Sequence, residues 1–144
     1  MIRITLSDAY NSWIPLSKLG EKELPIKTAY TLGKLIKAVR EEATLVEAMR
    51  MKLASKYGDA NETGGISLRE EDKEKFVEEW NDFMAKVIEI NLDPLNDDFI
   101  NEISFINMTA SEMAFLSVFM EGYEPPVQPE KKNDKSSKKD KSSS

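Results

Sequence analysis

The sequence predicts a mainly α protein built on an antiparallel helical hairpin. Short β elements are expected at the N-terminus and in the connections, with a short helix near the C-terminus. Three observations lead there. Leu32, Val39, Val46 and Leu53 recur every seven positions, with Ile36, Ala43 and Tyr57 filling the four-residue steps, which is the apolar seam of a long amphipathic helix. Phe76, Trp80, Phe83, Val87 and Ile90 alternate steps of four and three and mark a second helix. Seven basic and three acidic residues fall between 25 and 57, against four basic and eight acidic between 68 and 91, so the two helices attract as an antiparallel pair.

Along the chain, "IRITL" alternates and is β-branched, as a short strand requires. "SDAYNSW" opens a short helix with Ser7 or Asp8 as its cap; Pro15 is expected to break or restart it, and Gly20 to end the segment. The long helix spans about 25–57. Pro25 suits its first turn, Gly58 suits a left-handed terminus, and Lys52 and Lys56 lie near the negative end of its dipole. Arg50 falls on the apolar seam and needs an acidic partner or a route to solvent. The second helix is expected over about 68–90, opening on the acidic turn Glu70, Glu71, Asp72. "INLDPLNDDF" reads as a turn-rich connection and "ISFIN" as a second strand. Thr109 and Glu112 fit a capping box, with Met108 and Met113 as a hydrophobic staple, for a last helix over about 110–121.

With 144 residues, 40% hydrophobic and 32% charged, the chain is the size of one ordinary domain, placed at residues 1–122. Proline, lysine and serine dominate from residue 123 to 144, which predicts a disordered tail. Residues 131–144 hold six lysines and two aspartates, a net +4 that leaves −10 on residues 1–130 from 14 basic and 24 acidic groups. A body that acidic repels a phosphate backbone, so no nucleic-acid partner is expected for it. The start has no basic region followed by an apolar stretch and a small-residue cleavage site, and "MAFLSVFM" is far shorter than the roughly 20 apolar residues a membrane span needs. A soluble intracellular protein is expected.

No cysteine or histidine is present, which removes thiolate nucleophiles, imidazole bases and nitrogen or sulfur zinc sites, leaving only oxygen ligands for a metal. "TLGKLIK" lacks the earlier glycine and the Ser/Thr of a phosphate-binding loop and lies within a helix. No nucleophile elbow occurs, and the carboxylates of a charged face do not define a catalytic pair. No catalytic residue and no cofactor is assigned, and a non-enzymatic role is expected. Phe76, Trp80 and Phe83 could form a binding surface, although aromatics at helical spacing more often belong to a core.

The loop "GDANETGGISLREE" admits two readings. Counted from Asp59, it places Asp59, Asn61, Thr63, Ser67 and Glu70 near the ligand positions of a calcium loop, with Gly64 at the turn and Ile66 at the apolar position. Gly58, however, interrupts the incoming helix, only two of the ligands are carboxylates, and no second such loop exists to pair with. The same residues also suit a polar turn or short hairpin, with Ser67 and Glu70 as a capping box for the second helix. The metal-free connection is the preferred reading and calcium the alternative.

The run "LPIKTAYTLGKLIKAVREE", then "KYGDANETGGISL", then "FVEEWNDFMAKVIEI" resembles small proteins of tailed bacteriophages and prophages over roughly residues 1–119. The shared pattern is a helix ending on lysine-tyrosine, a variable glycine-containing loop, and a second helix opening on phenylalanine. The resemblance implies viral origin and a non-enzymatic role, and it carries no site residues. The resulting expectation is a phage-encoded interaction or assembly protein, found in the host cytoplasm or the virion. Its partner would be a protein: another phage protein, a host protein or itself as a homo-oligomer. The alternatives are a phage inhibitor of a host protein, whose acidic body imitates nucleic acid, and a single calcium-binding module at 59–70.

Overall fold

The computed structural model describes residues 1–126 and is mainly helical. Strand β1 (Ile2–Thr5) buries Ile2 and Ile4 on one face and exposes Arg3 on the other, as its alternation predicts. Its last residue starts helix α1 (Leu6–Leu19). The Thr5 hydroxyl accepts from the Asp8 amide at 3.0 Å while the Thr5 amide donates to the Asp8 carboxylate at 3.1 Å. The cap is therefore Thr5, earlier than Ser7 or Asp8, and Asp8 takes the reciprocal place in a capping box. Pro15 does not break α1. Ser12, Leu16 and Leu19 are buried on either side of it, and Asn11, whose carbonyl loses its helical donor, is exposed.

Helix α2 (Ile26–Tyr57) has 32 residues, about 48 Å of unbroken rod. Two partners share it. Helix α1 runs antiparallel along its first part: the Tyr10 hydroxyl reaches Glu47, and Gly20 lies so near Ile36 that an added Cβ would sit 2.6 Å from Ile36 Cδ1. Helix α3 (Lys73–Met84) runs antiparallel along the second part, with Lys56 paired to Glu79 at 3.0 Å. The expected hairpin is present, but α2 forms one on each half of its length.

Gly58 ends α2 without a left-handed turn. Its φ of −138° and ψ of 174° are extended, because the chain passes directly into strand β2 (Gly58–Ala60), which pairs with β3 (Ile66–Leu68) in the register Gly58↔Leu68, Asp59↔Ser67, Ala60↔Ile66. Glycine is needed there for closeness: a Cβ would lie 2.6 Å from Ile66 Cγ2 and 2.8 Å from the carbonyl oxygens of Ala54 and Ser67. A 3₁₀ turn over Glu70–Asp72 leads into α3.

Helix α3 stops at Met84, short of the expected residue 90. Val87–Ile90 forms β4, antiparallel to β1 in the register Ile2↔Ile90, Arg3↔Glu89, Ile4↔Ile88, Thr5↔Val87. The apolar pair Val87 and Ile90 fits helical spacing, but "VIEI" is β-branched, and pairing with β1 satisfies backbone groups of both strands. "ISFIN" is likewise not a strand. Helix α4 (Asp97–Glu102) ends just before it, the Ile103 amide donates back to Phe99 and Ile100, and Phe105 points outward at 63% exposure. Helix α5 (Ala110–Ser117) carries the predicted Thr109–Glu112 capping box but ends four residues early. There the chain turns to bridge Leu95, whose amide donates to Phe119 and whose carbonyl accepts from Glu121.

The core gathers Ile2, Ile4, Leu16, Leu32, Val39, Phe99 and Phe119 with their neighbours from β1, α1, the first part of α2, β4 and the C-terminal segment. Burying each large side chain contributes about 1.5–3 kcal/mol. No residue of α3 is buried, and of residues 47–86 only Gly58 and Ala54 are. The chain thus divides into a body containing the core and an arm made of the far part of α2, the β2–β3 hairpin and α3. Tyr123, beyond the predicted domain edge, packs on the core and donates to Asp8 at 2.9 Å. Residues 127–144 of the predicted tail lie outside the described residues.

Candidate interaction surface

The candidate calcium ligands of the loop, Asp59, Asn61, Thr63, Ser67 and Glu70, do not stay together. Asp59 and Ser67 face each other across β2 and β3, and Asn61 organises the turn between them. The Asn61 side-chain oxygen accepts from the Thr63 amide, the Thr63 hydroxyl and the Gly65 amide at 3.1, 2.7 and 3.0 Å. Its side-chain nitrogen donates to Ser67 at 3.1 Å, and Gly64 supplies the positive φ of 84°. The two carboxylates leave this group. Asp59 pairs with Arg69 at 2.9 Å and Glu70 with Lys73 at 3.1 Å. The structure therefore brings Asn61, Thr63 and Ser67 together and directs Asp59 and Glu70 to separate cations. The Ser67–Glu70 capping box does not form, because Ser67 is held in β3 and the residue preceding the 3₁₀ turn is Arg69. Among the described residues no group of three or more acidic side chains converges on a metal-sized point.

Arg69 closes the arm at its tip. Its guanidinium donates to the Lys56 carbonyl at 2.8 Å, to Asp59 at 2.9 Å and to Asp72 at 2.7 Å. One cation thus covers a free carbonyl at the negative end of α2 and holds the start of α3. Asp72 and Asp59 raise the Arg69 pKa further above its ordinary value.

Below the tip, Glu79 on α3 accepts from the Tyr57 hydroxyl and from Lys56, and these two donors hold its pKa below the usual carboxylate range. Arg50, flagged by its place on the seam, finds a partner one turn back in Glu47, donating from Nε at 2.7 Å. Glu47 also accepts from Tyr10 at 2.8 Å, and the two donors, Arg50 first, lower its pKa. These links tie α2 to α3 on one side and to α1 on the other.

Between the links the arm is open. Phe76 and Trp80 stack with centroids 6.4 Å apart and planes 9° from parallel, and Phe83 tilts against Trp80 at 5.9 Å. All three are half-buried, so they neither join the core nor stand free. Trp80 and Phe83 form one wall and Met49 and Leu53 the other wall of a groove of about 370 Å³, edged by Lys52, Lys56 and Glu79. Leu45, one turn before Met49 on the same face of α2, is 58% exposed. An apolar cleft with a few charges at its rim is the surface chemistry of a protein contact.

Charge is unevenly placed as well. Residues 87–126 hold eight acidic groups and no basic one, whereas α2 holds seven basic and three acidic. Among the described residues no helix is long and apolar enough to cross a membrane. No known family model, curated protein or solved structure matches the chain.

Proposed function

We propose that this chain is a non-enzymatic interaction or assembly protein of a tailed bacteriophage, acting through protein–protein contacts made by its arm. The observation that carries this reading is the groove lined by Met49, Leu53, Trp80 and Phe83, on a helix pair in which no residue of α3 is fully buried. Three half-buried aromatics on a 12-residue helix leave apolar ring surface open to a partner, and aromatic and methionine side chains are the residues that anchor interfaces. Viral origin is supported by the pattern running from Leu24 through the glycine-containing loop to Ile90. On this reading the protein works in the host cytoplasm or in the virion.

The test is a photoreactive side chain placed at Lys52 on the groove's rim, with illumination in cells that carry the source virus. One discrete adduct is expected, to this chain or to one other protein, and none from the same group placed at Glu23 in the exposed α1–α2 turn. No adduct at position 52 would overturn the reading.

A second reading, an inhibitor that imitates nucleic acid, draws on the eight acidic and no basic groups of residues 87–126. It requires capture of a host nucleic-acid-binding protein that weakens steeply with salt and survives changes in the arm.

A further inference from the structure

We propose that residues 131–135 of this chain dock in the cleft between the first part of α2 and the β4–α4 connection, where their lysines meet Asp93 and Asp98. The proposal concerns the body and does not depend on the arm.

The cleft holds about 340 Å³ and has an apolar lining of Leu35, Leu92 and Phe99. Lys27 and Lys34 edge it on α2, and Asp93, Asp98 and Glu102 edge it opposite. Two of these charges are engaged within the body: Glu102 accepts from the Thr28 hydroxyl, and the Lys34 ammonium stands 5.2 Å over the Tyr30 ring. Asp93, Asp98 and Lys27 are exposed and form no ion pair with any described residue. The wall opposite α2 therefore offers two carboxylates to a cation and apolar surface to the stem that carries it, which suits a lysine side chain.

Position selects this chain's own lysines. Pro94 borders this cleft and also a smaller one, of about 180 Å³, lined by Tyr123, Glu124 and Pro125, so the described chain ends close by. Pro125 is buried, which fixes that end. Lys131 follows Pro126 by five residues, a reach of up to about 17 Å. The segment "KKNDK" at 131–135 then brings three lysines for the aspartates and Asp134 for Lys27. A linker this short holds the segment at an effective concentration on the order of millimolar, so ion pairs that are weak singly suffice to fill the cleft. Any other cation approaching Asp93 and Asp98 must displace it.

The chain has no cysteine, so Ser136→Cys places a single nitroxide on the full-length protein just past the docked segment. Amide resonances of Thr31, Leu92 and Asn96 are expected to broaden, and those of Gly64 and Trp80 in the arm to stay sharp. Asp93→Asn with Asp98→Asn is expected to weaken the contact about fivefold, the share of two exposed ion pairs. Lys131→Glu, Lys132→Glu and Lys135→Glu together are expected to abolish it while leaving every residue of the body unchanged, so that loss cannot come from misfolding. Broadening confined to residues 120–126 overturns the proposal, as does broadening indifferent to the aspartates or to the lysines. Equal broadening when nitroxide and isotope sit on different copies also overturns it, because the occupant is then a second chain.

Discussion

The body and the arm are built on the same helix and differ in what closes over it. Along its first part, α2 presents Leu32, Leu35, Val39 and Val46 to α1, the β1–β4 ribbon and the C-terminal segment, and all four are buried. Along its second part the seam continues through Leu53 and Tyr57, but only one short helix and the small β2–β3 hairpin pack there, and both residues stay half-buried. The repeat of apolar residues is therefore the same in both halves while the outcome is not. Periodicity states which face seeks cover; the number of elements arriving on that face decides how much cover it receives.

The comparison is broken most severely at the core. Phe119→Ala is expected to cost about 3–5 kcal/mol, the range for a fully buried aromatic, whereas Trp80→Ala should cost less than half as much because its ring is only half-buried. Urea denaturation of both variants provides the check, and equal losses would mean that the arm is as fully packed as the body.

Arg69→Ala should have a smaller and more local effect, because three of its partners are backbone or carboxylate oxygens that would turn to water. Hydrogen exchange is expected to quicken in β2, β3 and α3 and to stay unchanged in α1. Uniform quickening would show that the arm does not open separately.

The smallest effect concerns pH. Glu79 has its folded pKa lowered by Tyr57 and Lys56, so its contribution is full above the ordinary carboxylate value and is lost as pH falls through the lowered one. Acid should therefore loosen the link between α2 and α3, read as a change in Trp80 emission in a Trp13→Phe protein. Tyr123 in the body does the reverse. Burial and then Asp8 push its phenol up to about 12, so its contribution is present below the ordinary value of 10.0 and is lost as pH rises toward 12. Absorbance titration of the wild type and Tyr123→Phe should assign the most alkaline phenol to this residue.

Local signals were legible where the chain's near neighbours decide. The Thr109–Glu112 box, the start of α2 and the β1 alternation all follow from residues within four positions of one another, whereas the end of α2 is set by Gly58 pairing with Leu68 instead of by a left-handed glycine. The Thr5–Asp8 box is harder to see in the sequence because aspartate stands where glutamate or glutamine is the usual partner. Val87–Ile90 forms a strand where its spacing predicts helix because a three-residue apolar step suits both, and only β1, more than eighty residues earlier, settles it. For the loop, the sequence listed the right oxygens without their directions. What it hid was Arg69, which binds a carbonyl 13 positions back and a carboxylate 10 positions back, and nothing in its local pattern marks those partners. The aromatic face was visible as a seam, but its exposure depends on how little of the chain returns to cover it.

The continuity of α2 has a consequence for how the molecule tolerates length changes. One residue added near Glu47 would swing everything beyond it by about 100° while advancing it only about 1.5 Å. The arm cannot accept that swing, since α3 leads into β4, and β4 is registered residue by residue against β1 at the opposite end of the spine. The azimuth of the groove is thus set twice, once by counting along a rod and once by a ribbon, and evolution can lengthen the tip between Ala60 and Ile66 freely but the spine only by near-whole turns.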